Sequence, residues 1–288
     1  MIKLITHTDL DGVGCAILAK YVYGDNVDIT FADYDEVNNI MEELDYTKYE
    51  SVFMTDLSCD LDYISKLDKL IDHHKTALHL NKYDNCKVEV ERSNGVLTCG
   101  TSMFADYLEV KHNFIFDIHM CWFIDLVQNY DTWAWKEKGI QEANDLNTLF
   151  HAMSRDKFIE HILNSEYIFD NTANMIIECE YNNQDNYIEE KLKQVYTVEI
   201  GGNKCGLVFA EQYFSALGDV MIDNGYDVAI MIDISDGTIS FRSNDKVDVS
   251  DIAKKFNGGG HKNASGARPN SLENAKLVII NRIIGGMK

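Results

Sequence analysis

Three short apolar runs in this chain stop on an imidazole or a carboxylate, with helix-like stretches standing between them. Ile2, Leu4 and Ile5 lead to His7, Ser51–Met54 leads to Thr55-Asp56, and Leu70-Ile71 leads to Asp72-His73-His74. Val13–Tyr21 and Asp35–Leu44 read as helices, the second with Val37, Ile40, Met41 and Leu44 on one face. Val27–Phe31 reads as a further strand, Leu61–Leu67 as a helical connection, and Val88 and Val90 suggest one more strand. Strands alternating with helices imply a mostly parallel sheet with helices on both faces. Sites in such sheets form outside the carboxyl ends of the strands. His7–Asp11, Asp56 and Asp72–His74 should therefore converge in space despite their separation in sequence.

The rest of the chain reads differently. Gly100–Leu108 and Asp117–Tyr130 are helix-like, and the polar stretch Asn174–Tyr196 is helix-compatible. From Val198 the pattern changes to short strands, Cys205–Phe209, Val228–Ile234 and Thr238–Arg242, framing helices near 213–223 and 249–256. A length of 288 residues suits two domains, and 45% hydrophobic residues can fill their cores. The single proline, Pro269, leaves turns to Gly, Asn and Asp.

Composition excludes several classes. No run of about 18 apolar residues occurs, so no membrane span is expected. The start, polar from Lys3 on, has no signal-peptide core, and the expected location is the cytoplasm. Seven irregularly spaced cysteines without a CxxC pair point to neither disulfides nor a zinc ribbon. Of the net charge of −21, none comes from residues 200–288, where ten basic residues meet ten acidic ones; residues 1–199 hold 16 against 37. That field repels long duplex DNA and tolerates divalent cations.

His7-Thr8-Asp9-Leu10-Asp11-Gly12 places three ligand-type side chains two residues apart just past a strand, where i and i+2 point the same way. A helix N-cap would need only one of these carboxylates. Two adjacent histidines after Asp72 cannot chelate one ion as an i, i+4 pair would. One is read as a ligand and the other as facing substrate, with Asp72 orienting a ring. His79, His112, His119, His151 and His161 fall outside every motif and read as surface or capping residues.

Together the HxDxDG start, the strand-end Asp56, the Asp72-His73-His74 triplet and a later Asp resemble the DHH phosphoesterase family. The resemblance implies one metal on His7, Asp9 and Asp56 and a second on Asp11, His73 and Asp131. Asp56 would bridge them, and His74 would face the scissile phosphate with Asp72 behind it. Asp125 competes for the last place, but the Tyr-Asp-Thr-Trp setting of Asp131 is closer to the family's late motif. Gly258-Gly259-Gly260-His261, followed by Ala264-Ser265-Gly266, resembles the glycine-rich loop of the DHH-associated C-terminal domain. There the glycine N–H groups would approach an anion, with His261 and Arg242 binding substrate phosphate.

The expected architecture is an α/β chain in two parts: a parallel-sheet metal-binding catalytic domain over 1–173, a linker helix over 174–197, and a smaller α/β substrate-binding domain over 198–288. The active site is expected in the cleft between them. Carboxylates and imidazoles without thiolate suit two divalent cations, Mn2+ before Mg2+ or Co2+. The resemblance implies a nanoRNase-like hydrolase of short oligonucleotides or dinucleotides, with 3′,5′-bisphosphoadenosine as a further substrate and a homodimer allowed for. The alternatives are a RecJ-like single-strand exonuclease, which fits less well because no further binding domain follows residue 288, and a non-catalytic nucleotide-binding module.

Overall fold

The computed structural model describes residues 1–271 and residue 274. Residues 272–273 and 275–288, the end of the expected second domain, lie outside the described residues. The chain divides into two compact units, residues 1–180 and 181–288.

In the first unit five strands form one sheet: β1 (Ile2–Thr6), β2 (Val27–Phe31), β3 (Ser51–Thr55), β4 (Lys69–Asp72) and β5 (Cys86–Val88), in the order β2-β1-β3-β4-β5. Every pairing is parallel, so all carboxyl ends lie on one edge. Crossovers run through α1 (Leu10–Tyr23), α2 (Val37–Glu43) and α3 (Leu61–Ile64). After the sheet come α4 (Gly100–His112), α5 (Ile118–Asp131), α6 (Ala134–Lys138), α7 (Gln141–Ala152), α8 (Arg155–Asn164) and α9 (Asn171–Leu192), the last running across the boundary between the units.

Alternation within the strands separates two cores. Ile5, Val52, Met54 and Leu70 pack with Val37 and Met41 of α2 and Ile64 of α3. On the opposite face Phe53 meets Phe104 and Tyr107 of α4. Each such side chain stabilises by about 1.5–3 kcal/mol on full burial. Leu10–Ala19 of α1 are all buried, as in a helix enclosed on all sides. A Cβ on Gly14 would stand 2.2 Å from Thr101 Oγ1, so glycine there lets α1 and α4 approach closely. That approach sets the amino end of α4 against the site.

The second unit holds β6 (Tyr196–Ile200), β7 (Asn203–Phe209), α10 (Phe214–Asp223), β8 (Val228–Asp233), β9 (Thr238–Ser243), α11 (Val249–Lys254), β10 (Gly259–His261) and β11 (Ala264–Ala267). Its sheet, β10-β11-β9-β8-β7-β6, is mixed: among the described strands β7 and β8 pair in parallel and the other neighbours pair antiparallel. Leu217 and Met221 of α10 cover one face with Ala229 and Met231, and Val249 and Ala253 of α11 cover the other with Phe241.

The structure departs from the sequence-based expectation in three places. The stretch expected as helix to Tyr196 ends at Leu192, and Tyr196–Ile200, alternating and rich in β-branched residues, pairs with β7 instead. β5 stops at Val88, before Val90. Helices α6, α7 and α8 occupy a region where no motif was read.

Candidate metal centre

The first ligand-type group sits where β1 turns into α1. Asp9 is the N-cap of α1, with Oδ1 accepting from Gly12 N at 3.0 Å, while Oδ2 lies 2.9 Å from His7 Nδ1. Asp9 therefore caps the helix with one oxygen and offers the other to the site. A Cβ on residue 12 would stand 2.2 Å from His7 O, so only glycine permits this entry. Asp11, in the first turn, is buried. Its Oδ2 accepts from Gly100 N at 2.6 Å and its Oδ1 from Thr101 N at 2.7 Å. These are unpaired amides at the amino end of α4, where helix polarity favours an anion.

Asp56 ends β3 with φ of 55°, a left-handed conformation that costs a non-glycine residue on the order of 1 kcal/mol. Its N donates to Ile71 O on β4. The turn buries the carboxylate to 1% exposure, with Oδ1 3.2 Å from His73 Nε2 and Oδ2 3.8 Å from His7 Nδ1. His73 Nε2 also lies 3.6 Å from both Asp11 Oδ2 and Asp131 Oδ2. Asp131 is the last residue of α5. Asp125 is exposed and lines a different surface pocket with Arg92 and Asp106.

Donor atoms of His7, Asp9 and Asp56, and those of Asp11, His73 and Asp131, each lie within 4.8 Å of one another; Asp56, His73 and His74 form a third such group. In the third group His74 is already engaged. Buried Asp72 accepts through Oδ1 from His73 N, His74 N and His74 Nδ1, the last at 2.7 Å. His74 Nε2 lies 3.1 Å from the hydroxyl of Tyr34, whose ring sits 4.9 Å from that of His7.

Four carboxylates crowd this volume, and the site strains against its own charge. Burial, then Asp11 and Asp9, push the Asp56 carboxyl well above the usual range. Burial and the same two neighbours push Asp131 up to about 9. His7 is raised by the Asp9 carboxylate beside it and His74 by its bond to Asp72, while burial lowers His73. Asp56 Oδ2 and His7 Nδ1 are buried without an aligned hydrogen-bond partner. Orphaned polar atoms aimed into a pool of carboxylates fit a divalent cation, which replaces the protons the carboxylates otherwise retain. Burial pushes the nearby Cys15 and Cys99 thiols well up, so neither supplies a thiolate. Oxygen and imidazole donors suit manganese or magnesium.

In the second unit, Arg242 donates from Nη2 to Ser215 Oγ and from Nη1 to Phe241 O, with its stem packed over Gly218. Gly258 N donates to Ala253 O, so that amide is committed within the fold and is not open to an anion. A Cβ on Gly258 would meet Gly266 O at 2.0 Å, and Gly260 has φ of 135°. These two glycines are required by hairpin packing; Gly259 has open space around it, and His261 is exposed.

Sequence reasoning missed several neighbours of the cluster. Tyr34 lies beside His7 and His74, and Asp33 Oδ1 lies 3.6 Å from His7 Nε2. Gly100 and Thr101 hold Asp11. His151 and Asn147 line a cavity whose other wall is Asp9, Asp11 and Asp131. The HxDxDG-like density of ligand types marked the cluster; nothing comparable marks these neighbours. His119 and His161 face the carbonyls of Ile162 and Ile168, in keeping with a capping role.

Comparison with known proteins adds sequence and fold relationships. Residues 210–283 match the DHHA1 domain model. The chain is 33% identical over 292 residues to oligoribonuclease NrnB of Bacillus subtilis, covering 92% of this chain and 72% of that one. The pGpG-specific phosphodiesterase PggH of Vibrio cholerae shares the fold at a TM-score of 0.58, with 16% identity over 99% of both chains. RecJ of Thermus thermophilus, solved with Mn2+, matches at 0.58 with 12% identity over 96% of this chain and 51% of its own.

Proposed function

The chain belongs to the DHH phosphoesterase family, and from that premise we propose that it hydrolyses phosphodiester bonds in short oligonucleotides or dinucleotides with two divalent cations, manganese foremost. The observation that carries this reading is the convergence of six ligand-type side chains in two groups, with Asp56 Oδ2 and His7 Nδ1 buried among them without an aligned hydrogen-bond partner. One cation would be held by His7, Asp9 and Asp56 and the other by Asp11, His73 and Asp131. Asp56 offers one oxygen towards each set, since Oδ2 faces His7 and Oδ1 faces His73. When bound, such a pair neutralises phosphate charge and lowers the pKa of an attacking water.

The protein's own groups do the remaining work. Asp72 holds Nδ1–H of His74 and so fixes which nitrogen faces outward. With its pKa raised by Asp72, His74 in its doubly protonated form donates from Nε2 to a non-bridging oxygen of the scissile phosphate, a bond that strengthens as negative charge builds. Tyr34 occupies that direction in the structure and would yield to, or share, the phosphate. On the second unit, Arg242 and His261 would bind substrate phosphate, Arg242 through a planar fork that Ser215 already orients. The amides of Gly259 and Gly260 would assist, whereas Gly258 serves hairpin packing.

The test is turnover with Mn2+, Mg2+ or chelator on a linear diribonucleotide, a five-nucleotide RNA, long single-stranded DNA, a cyclic dinucleotide, 3′,5′-bisphosphoadenosine and pyrophosphate. The expected result is metal-dependent cleavage of the dinucleotide and the short RNA, with long DNA spared. Asp56→Ala should abolish it. No cleavage of any substrate with any metal would overturn the hydrolase reading, and near-full activity in Asp56→Ala would overturn the ligand assignment.

A further inference from the structure

A cavity of about 180 Å3 lies against α7 in the first unit. Asp9, Asp11 and Asp131 form one wall; Tyr130, Asn147 and His151 form the other, with two aliphatic side chains completing it. The ligand cluster thus has two distinct flanks, because Tyr34 and His74 do not line this cavity. A diester carries two ester groups, and this flank lies directly beside the ligand cluster, since Asp9, Asp11 and Asp131 belong to both.

The chemistry of the walls limits the occupant. No lysine or arginine is among the described lining residues, and three carboxylates face the space. Those carboxylates are the proposed cation ligands, and the rest of the lining, Leu10, Val127, Tyr130, Asn147 and His151, offers hydrogen bonds but no cationic side chain to hold a second phosphate, so the occupant is a neutral polar group. The volume falls below the roughly 300–1,000 Å3 of pockets for drug-sized ligands, so it suits a single ring. A sugar is bonded directly to the scissile phosphate through one oxygen, whereas a base lies a ring further away. Asn147 and His151 stand at i and i+4 on one face of α7. An amide and an imidazole each offer a donor and an acceptor to a hydroxyl.

We propose that this cavity seats the ribose adjoining the scissile phosphate, and that Asn147 and His151 recognise its 2′-hydroxyl. The inference rests on the phosphodiesterase reading and extends it: the chain distinguishes RNA from DNA on its own first unit, since the 2′-hydroxyl is the group by which the two differ.

The experiment compares kcat/KM for a diribonucleotide with its analogues deoxy at the first or the second sugar, using the full chain with Mn2+. Wild type should prefer ribose at one of the two positions by about 2- to 10-fold, the range of a net hydrogen bond to partly exposed groups such as Asn147 and His151. In Asn147→Ala and His151→Ala that ratio should fall towards one. A second arm measures binding of AMP and 2′-deoxy-AMP by calorimetry, where wild type should favour AMP and both variants should lose the preference. Variants that weaken both sugars in parallel, with the ratio intact, overturn the proposal. So does a wild type that discriminates bases but treats both sugars alike, which would place a base in the cavity. If wild type cleaves no dinucleotide, the hydrolase reading fails, and the binding arm alone decides the subsite: preference for AMP that depends on Asn147 and His151 supports it, and its absence overturns it.

Discussion

Gly100→Ala puts a methyl group between Asp56 and Asp11, two of the ligand-type carboxylates. The new Cβ would stand 2.7 Å from Asp56 Cβ and 3.0 Å from Asp11 Oδ2. Neither neighbour can retreat freely. Asp56 is pinned by its left-handed backbone and its bond to Ile71 O. Asp11 is held by two short bonds from Gly100 N and Thr101 N, one of them from the substituted residue itself. Overpacking of this kind costs about 1–3 kcal/mol, and α4 must shift by several tenths of an ångström to relieve it. That shift carries Asp11 with it, and misplacement approaching 1 Å can cost about 100-fold in rate. Urea denaturation of the metal-free protein should lose about 1–3 kcal/mol, Mn2+ affinity by calorimetry should weaken, and dinucleotide turnover should fall by one to two orders of magnitude. Gly259→Ala is the control for stability, because its Cβ meets nothing within 4 Å; it should change stability by less than about 0.5 kcal/mol. A Gly100→Ala protein as stable as wild type, with unchanged Mn2+ affinity, would refute the claim that α4 packing positions Asp11 and Asp56.

Asp72→Asn removes the charge that holds His74 while keeping its shape; since three N–H groups converge on Asp72 Oδ1, turnover should drop about 10- to 100-fold, and unchanged kcat would count against the positioning role. In the metal-free protein stability should fall as pH rises from 6 to 9. Asp131, at about 9, and Asp56, also raised, keep protons that the unfolded chain releases above about pH 4. His7 and His74, both raised, contribute stability below about pH 6.5 that is lost as pH passes their folded values, with lowered His73 opposing them. Mn2+ at pH 8 should restore the lost stability because it binds the deprotonated ligands; a urea midpoint that climbs with pH in chelator would contradict this account. Arg242→Ala should raise KM about 10-fold or more, as loss of a hydrogen bond from a charged group implies, while Mn2+ affinity measured by calorimetry stays at the wild-type value.

Much of the architecture was legible in the chain because burial on both faces of a parallel sheet leaves a local trace. β1, β3 and β4 read as apolar runs, and their terminal His7, Asp56 and Asp72–His74 stood out as ligand types at strand ends. Local pattern was less able to choose between Asp125 and Asp131. The two lie on one helix, six residues and so about 240° apart around its axis, and which face meets His73 depends on how α5 packs. The helical reading ran on to Tyr196, past the end of α9 at Leu192 and into the first residue of β6, because the polar stretch continues there without a break.

Other features left no local trace at all. Asn147 and His151 look like the polar face of any amphipathic helix, and Tyr34 looks like a loop aromatic. Gly100 reads as an ordinary helix start until Asp56 and Asp11 are set against it. The ligand types, and the sheet edge on which three of the groups end, were already written in the chain, because covalent order and side-chain alternation dictate both. Packing in three dimensions chose which oxygen of Asp56 faces which histidine, which aspartate of α5 joins the cluster, and which helix walls its far side. Those choices depend on contacts between elements distant in the chain, and no local pattern of residues encodes a distance across a core.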